Sequence, residues 1–213
     1  VDPDKEIGRF FDCCETPGQR KMNTRFSLRA RRELVGAVKD LGVEGRTILD
    51  VGCGPGDLTR ELVRLGASRA DGIDLAPKTL DEARRRVDEE GMSGVITFTV
   101  GNGAKESLER HDVVVLEKVI CCYPDWRELV DNTSEAASRS YGFVIPRSDW
   151  PIALIVRAFV ALSALFLKIR KCGFRPFVHD FEKIDRHLHG RGLRRHHLSK
   201  GPIWVTAVYS RSA

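Results

Sequence analysis

Nowhere in these 213 residues are two cysteines spaced as C-x-x-C, and no cysteine and histidine fall into the spacing of a structural zinc site. A structural zinc module and a C-x-x-C redox motif are therefore not indicated; a metal or redox site built from the two adjacent cysteine pairs is the minor alternative, and no metal is expected. No internal repeat, low-complexity tract or signal peptide is legible. The longest apolar stretch runs from Ile152 to Leu167 and is interrupted by Arg157 and Ser163. It is shorter than the about 20 residues that cross a bilayer, and an arginine near its middle costs roughly 2.5–3.5 kcal/mol on insertion scales. A true membrane span is the disfavoured reading.

What is present is ordinary for a globular α/β protein, with 42% hydrophobic and 31% charged residues. A chain of this length can bury a real core, and a single domain over residues 1–213 is expected. The net charge of +5 suits an anionic substrate, a membrane surface or RNA, and also proteins that bind none of these. Six cysteines include the adjacent pairs Cys13-Cys14 and Cys121-Cys122. They read as reduced, mostly buried thiols of a cytoplasmic protein.

Residues 1–30 read as a helical arm broken near Pro17-Gly18. A helix from about Met22 to Leu41 follows, with Leu28, Leu34, Val35, Val38 and Leu41 at helical spacing. Strands and helices then alternate. "TILDV", "ADGIDL", "VITFTV", "DVVVLE" and "YGFVI" are strand-like; "DLTRELVRLG", "APKTLDEARRRVDEEG" and "DWRELVDNTSEAASR" are helical. This rhythm predicts a Rossmann-like, mostly parallel sheet with helices on both faces. After Pro146 a long apolar helix over 151–171 is expected, within a cap segment 151–178. A shorter helix from "HDFEKIDRHLHGRG" and two closing strands, "LRRHHLSKG" and "PIWVTAVYSR", complete residues 179–213.

The first strand-to-helix turn carries "TILDVGCGPGD", residues 47–57. In an open parallel sheet that turn is the usual ligand site. The spacing G-x-G-x-G is not the dinucleotide fingerprint, whose third glycine falls on Asp57 here. No Lys-Ser/Thr follows the turn, so a phosphate-binding P-loop fails too. Asp50, at the end of the first strand, faces a cationic or hydrogen-donating group. Asp74 closes the second strand, at the place where an acid accepts from ribose hydroxyls. A ligand with a ribose, little negative charge and a positive centre is implied, and S-adenosylmethionine fits.

With these residues in view, "ILDVGCGPGDLTRELVRLG" and "GIDLAPKTLDEAR", together with "GNGA" and "DVVVLEKVICCYPD", resemble the class I S-adenosylmethionine-dependent methyltransferases. The resemblance covers residues 45–146. It implies a seven-stranded, mostly parallel sheet whose C-terminal hairpin places one strand antiparallel to the rest. It also implies that Gly52 and Gly54, with Cys53 and Gly56 in the same turn, pass close to the methionine part. Asp74, followed by Leu75, holds the ribose. Asn102, between Gly101 and Gly103, lies near the adenine with its oxygen accepting from the adenine amine, where the family usually has Asp. Glu117 and Lys118 lie beside the methionine end.

The acceptor is less legible. The loop "EKVICCYPD" lacks the Asn/Asp-Pro-Pro-aromatic motif of methyltransferases acting on base amines, and its cysteines precede Pro124 rather than follow a proline. Cys121-Cys122 stand where many small-molecule members show two histidines. Tyr123, Arg147 and His179 remain as candidate catalytic or substrate-holding groups. The layout is similar to the magnesium-protoporphyrin O-methyltransferase branch, which acts on a propionate of a flat apolar ring, though outside the core the similarity is thin. The leading expectation is direct in-line methyl transfer to a small apolar metabolite, anionic or not, releasing S-adenosylhomocysteine. The arm and the long helix would close over it. An RNA methyltransferase using the basic run 183–200, a cofactor-binding protein without catalysis, and a dinucleotide oxidoreductase are the alternatives. Nucleic acid is the less favoured partner. Peripheral membrane contact by the long helix and a dimer contact stay open, as does the oligomeric state.

Overall fold

The computed structural model describes residues 3–14, 25–149 and 174–211, and between the last two segments only the helical positions 154, 158 and 162. The break near Pro17-Gly18 and nearly all of the long helix 151–171 lie outside the described residues. Helix α1 (Pro3–Arg9) continues as a π-turn over Phe10–Cys14, and α2 (Arg25–Asp40) follows. Then come β1 (Thr47–Val51), α3 (Asp57–Arg64), β2 (Arg69–Asp74), α4 (Pro77–Glu89), β3 (Ile96–Val100) and β4 (His111–Glu117). A short 3-10 turn over Ile120–Cys122 leads to α5 (Trp126–Ala136), β5 (Ala137–Pro146), α6 (Phe181–Gly190), β6 (Leu193–Lys200) and β7 (Trp204–Arg211).

The strands form one seven-stranded sheet in the order β3-β2-β1-β4-β5-β7-β6. Strands β1 to β5 run parallel, and β7 is antiparallel to both of its neighbours. The expected fold class and closing hairpin are therefore both present. Two boundaries differ. The helix expected to run to Arg139 ends at Ala136, and β5 starts at once at Ala137 rather than near Tyr141. Pairing of Ala137 with β4, and of Ser140 with both β4 and β7, holds this segment in extended backbone despite its weak strand character.

Alternation along the strands builds two cores. Ile48, Val113 and Val115 face α2 and α3, meeting Leu34, Val38 and Leu62. Leu49, Val51, Val114 and Leu116 face the other way, toward Trp126, Leu129 and Ile184. The helices thus cover both faces of the sheet, as near-continuous apolar parallel strands require. Local signals set the helix starts: Pro77 at the head of α4, and Asp125 and Asp180 accepting from Arg127 N and Glu182 N at the heads of α5 and α6.

Candidate active site

Strand order reverses between β1 and β4, and a crevice opens beyond their C-terminal ends, the usual ligand position in such sheets. A cleft of about 390 Å³ lies there. Asp50, Gly52, Cys53 and Gly54 line it from β1 and its turn; Asp74 and Leu75 from β2; Gly101 and Gly103 from the loop after β3; Glu117 and Lys118 from β4. Tyr123 and Cys122 line it from the 3-10 turn and its exit, and Ile7 and Phe11 reach it from the N-terminal arm. Segments far apart in sequence are brought together because parallel strands all deliver their loops to one edge.

The glycine turn is built for close approach. Gly52, Gly54 and Gly56 all have φ near +50 to +70°, at 66, 53 and 72°. A side chain at Gly52 would meet Val119 at 2.4 Å, whereas one at Gly54 would meet nothing within 4 Å and would project into the open cleft. Gly56 does not line the cleft. It heads α3 in the left-handed conformation, close against Phe98. Its role here is to turn the chain.

Asp74 accepts from Gly54 N at 2.8 Å and Ala76 N at 2.9 Å. Burial raises its pKa, and the backbone donors work against that shift. These two bonds fix the carboxylate at the cleft and leave lone pairs for further donors. Asp50 is almost fully buried and accepts a 2.6 Å hydrogen bond from Thr59 Oγ1. Burial away from any direct cation partner pushes its pKa up to about 7, Thr59 notwithstanding. Glu117 receives Arg31 Nε at 2.8 Å on one oxygen. Its other oxygen is buried without a well-formed hydrogen bond, although Lys118 Nζ is 2.9 Å away. Burial works to lower the Arg31 pKa, but Glu117 outweighs it and the guanidinium stays charged. Lys118 itself has φ of 64°, a left-handed conformation that non-glycine residues seldom adopt. Its carbonyl receives both Cys121 Sγ, at 3.2 Å, and Cys122 Sγ, at 3.6 Å. The Cys121 thiol is lowered by the hydrogen bond from Cys122, and the Cys122 thiol is raised in return.

Other expected residues are placed differently. Asn102 is buried behind the cleft wall. Its Oδ1 accepts from Ala104 N at 2.8 Å and Tyr123 OH at 2.9 Å, so the oxygen expected to take an adenine amine is already filled. Its Nδ2 makes no hydrogen bond of normal length, though the amide joins Lys105 in lowering the Asp4 carboxyl against the effect of burial. Arg147 does not line the cleft. It forms a two-pronged pair with Asp149, at 2.6 and 2.7 Å, and also donates to Gly201 O. His179 does not line it either. Its Nε2 meets Tyr123 O at 2.9 Å, and burial lowers its pKa, so the ring is neutral near pH 7. Burial raises the Tyr123 phenol, which rules out a tyrosinate base at neutral pH.

Sequence reasoning missed Arg31, Val119 and Asp57 on the cleft wall. For Arg31 the signal was present but ambiguous, since it is one of several arginines on α2.

A family model described as a methyltransferase domain matches residues 48–139. Residues 48–139 are thus similar to the class I S-adenosylmethionine-dependent methyltransferases, whose cofactor is S-adenosylmethionine. Among particular relatives, the magnesium-protoporphyrin O-methyltransferase of Rhodobacter capsulatus is 27% identical over 192 residues, 86% of this chain and 82% of its own. The ribosomal protein L11 methyltransferase of Photorhabdus laumondii is 35% identical over 75 residues; the match takes in 35% of this chain and only 25% of that protein. In fold, the chain is similar to the magnesium protoporphyrin IX methyltransferase of Synechocystis PCC 6803 crystallised with S-adenosylhomocysteine, with a TM-score of 0.77 at 17% identity over 98% and 99% of the two chains. The geranyl diphosphate C-methyltransferase of Streptomyces coelicolor gives 0.74 at 14% identity over 100% and 99%.

Proposed function

We propose that the protein transfers the methyl group of S-adenosylmethionine to a small apolar acid. The observation that carries this reading is the arrangement of the cleft edge: open space over Gly54, Asp74 held by Gly54 N and Ala76 N, and the acids Asp50 and Glu117 at the far wall. The buried Glu117 oxygen, beside Lys118 Nζ at 2.9 Å but without a well-formed hydrogen bond, suits a hydrogen-donating ligand, and the acids around it oppose a pyrophosphate. When bound, the cofactor supplies a methyl group on a positively charged sulfur. Asp74 accepts from the ribose, and the backbone around Gly52 and Gly54 lies along the methionine part. Leu75, Gly101 and Gly103 border the adenine.

The acceptor is inferred from what the wall offers. Ile7, Phe11, Val119 and Tyr123 give it apolar surface, and no histidine is among the described residues that line it. With Tyr123 held protonated, an acceptor atom that needs no base, such as a carboxylate oxygen, matches the site. The Rhodobacter relative, a magnesium-protoporphyrin O-methyltransferase by name, agrees with that class. The chain then acts by holding donor and acceptor in line, a contribution that can be large without any proton transfer. The basic run 183–200 is occupied with acids of its own surroundings: Arg191 with Asp131, Arg195 with Asp185 and Lys200 with Glu182. That favours the small-molecule reading over RNA.

Calorimetric titration with S-adenosylhomocysteine beside NAD, on wild type and Asp74→Ala, tests the cofactor half. Micromolar binding of the former alone, weakened roughly ten- to a hundredfold in the variant, is expected. Binding of NAD, or an unaffected variant, would overturn it. A screen of apolar carboxylic acids for methyl ester formation tests the acceptor half.

A further inference from the structure

The cleft wall holds two buried acids, Asp50 and Glu117, whose surroundings differ. The nearest cations are committed to Glu117: Arg31 Nε at 2.8 Å and Lys118 Nζ at 2.9 Å. The remaining reach of Arg31 goes to Asp57, with Nη1 at 3.8 Å. Asp50 is left with one hydroxyl, from Thr59. Around it stand Glu117 from β4, Asp74 from β2, Arg31 from α2 and the buried Cys53 thiol of the turn; Glu61 and Asp57 of α3 lie farther out, around Arg31 and Glu117. Three carboxyls thus line one cleft, and the Arg31 guanidinium and Lys118 ammonium beside them are both drawn to Glu117. A buried carboxyl that has a hydroxyl but no cation of its own holds its proton, because the charged form loses water and gains little.

A ligand that brings its own positive charge into this space changes the balance. S-adenosylmethionine carries a sulfonium and an ammonium against one carboxylate, a net charge of +1 by its chemistry. Its thioether product has lost the sulfonium and is net neutral. Charge–charge energies in such a cleft are several-fold larger than in water.

Resting on the cofactor reading above, we propose that Asp50 is a charge-selective, proton-exchanging group of the cofactor site. The sulfonium cofactor binds with release of the Asp50 proton, and the neutral thioether product binds with that proton retained. The balance is simple: protein carboxylic acid plus cationic cofactor gives the carboxylate complex plus a proton. When the product stands in place of the cofactor, Asp50 regains that proton from solvent. Cofactor-for-product exchange is thereby driven by pH, with alkaline conditions favouring the cofactor.

The test is calorimetric titration of the full chain at pH 7 with S-adenosylmethionine and with S-adenosylhomocysteine, each in buffers of different ionisation enthalpy, which yields the protons released. With Asp50 titrating near 7, wild type should release about half a proton with the sulfonium ligand and clearly less with the thioether. Asp50→Asn should erase the difference between the ligands. Thr59→Val keeps the shape, removes the hydroxyl that favours the charged form, and should enlarge the release. Equal proton numbers for the two ligands in wild type overturn the proposal, as does a difference that persists in Asp50→Asn. If Asp50→Asn does not fold, Thr59→Val decides alone: a larger release supports the proposal and an unchanged one overturns it. Failure of both ligands to bind wild type would instead sink the cofactor reading itself.

Discussion

Arg31 on α2 donates its Nε to Glu117 at the end of β4, 2.8 Å away and 86 residues later in the chain. This contact ties the helix that precedes the sheet to the rim of the cleft. It also places the nearest guanidinium nitrogen on Glu117 rather than on Asp50. Arg31→Met should leave the Glu117 carboxylate buried without its main donor and cost about 2 kcal/mol in urea unfolding. The double variant Arg31→Met/Glu117→Gln should recover most of that loss, because no uncompensated charge remains.

Lys118 should behave as a strained position. Its φ of 64° carries a cost of roughly 1–2 kcal/mol for a residue with a Cβ. Lys118→Gly relieves the strain and loses the Glu117 contact; Lys118→Ala loses the contact and keeps the strain. The glycine variant is therefore expected to melt higher than the alanine variant, by the strain less the roughly 0.5–1 kcal/mol that glycine costs in backbone entropy.

Tyr123→Phe removes the hydroxyl that Asn102 Oδ1 accepts at 2.9 Å. Asn102 keeps its bond from Ala104 N, so the loss should be near 1 kcal/mol. Because the phenol is held protonated by burial, methyl transfer should persist in this variant. A loss of turnover by several orders of magnitude at unchanged cofactor affinity would show that the hydroxyl takes part in the reaction.

His179 anchors the loop that carries Tyr123 and titrates in a useful range. Burial holds its folded pKa below that of a free imidazole, about 6.5, so the folded state favours the neutral ring. The stability it contributes is present above 6.5 and is lost as pH falls through the lower folded value. Wild type should thus exceed His179→Gln less at pH 5 than at pH 7.5 in paired unfolding curves. A gap that widens on acidification would contradict this.

Asp50 should have the opposite sign. Its folded pKa of about 7 is above the unfolded value, so the folded state binds more protons. The wild-type protein should lose stability from this group as pH rises from about 4 to 7, and Asp50→Asn should flatten that slope in thermal melts.

Much of the fold was legible because its signals are local. "TILDV" and "DVVVLE" are apolar runs that only a sheet covered on both faces can bury, and they fall on β1 and on β4 to within a residue. The glycine turn, Asp50 and Asp74 were legible for a related reason: a left-handed backbone and an acid at a strand end are each written in one or two residues. Ala137–Arg139 read as helix because their own preferences are weak, and what settles them as strand is the pairing of Ala137 with β4 and of the next residue, Ser140, with both β4 and β7.

The chemistry of the individual side chains was decided in three dimensions. Arg147, a candidate substrate-holding group in the sequence, is satisfied by Asp149 two positions on, a contact that depends on how the chain leaves β5. Asn102 was expected to offer its oxygen to a ligand, yet Tyr123, 21 residues later, takes that place and leaves the nitrogen. Asp50 and Glu117 look alike as letters. Asp50 is pushed toward its protonated form because Arg31, arriving from a helix outside the strand–helix repeat, sets its Nε on Glu117 and leaves Asp50 only the Thr59 hydroxyl. Sequence alone determined the sheet, the turn and the class of ligand, since these follow from short-range pattern. The ionisation states and hydrogen-bond partners belong to the tertiary structure, since they depend on which distant groups share a space from which water is excluded.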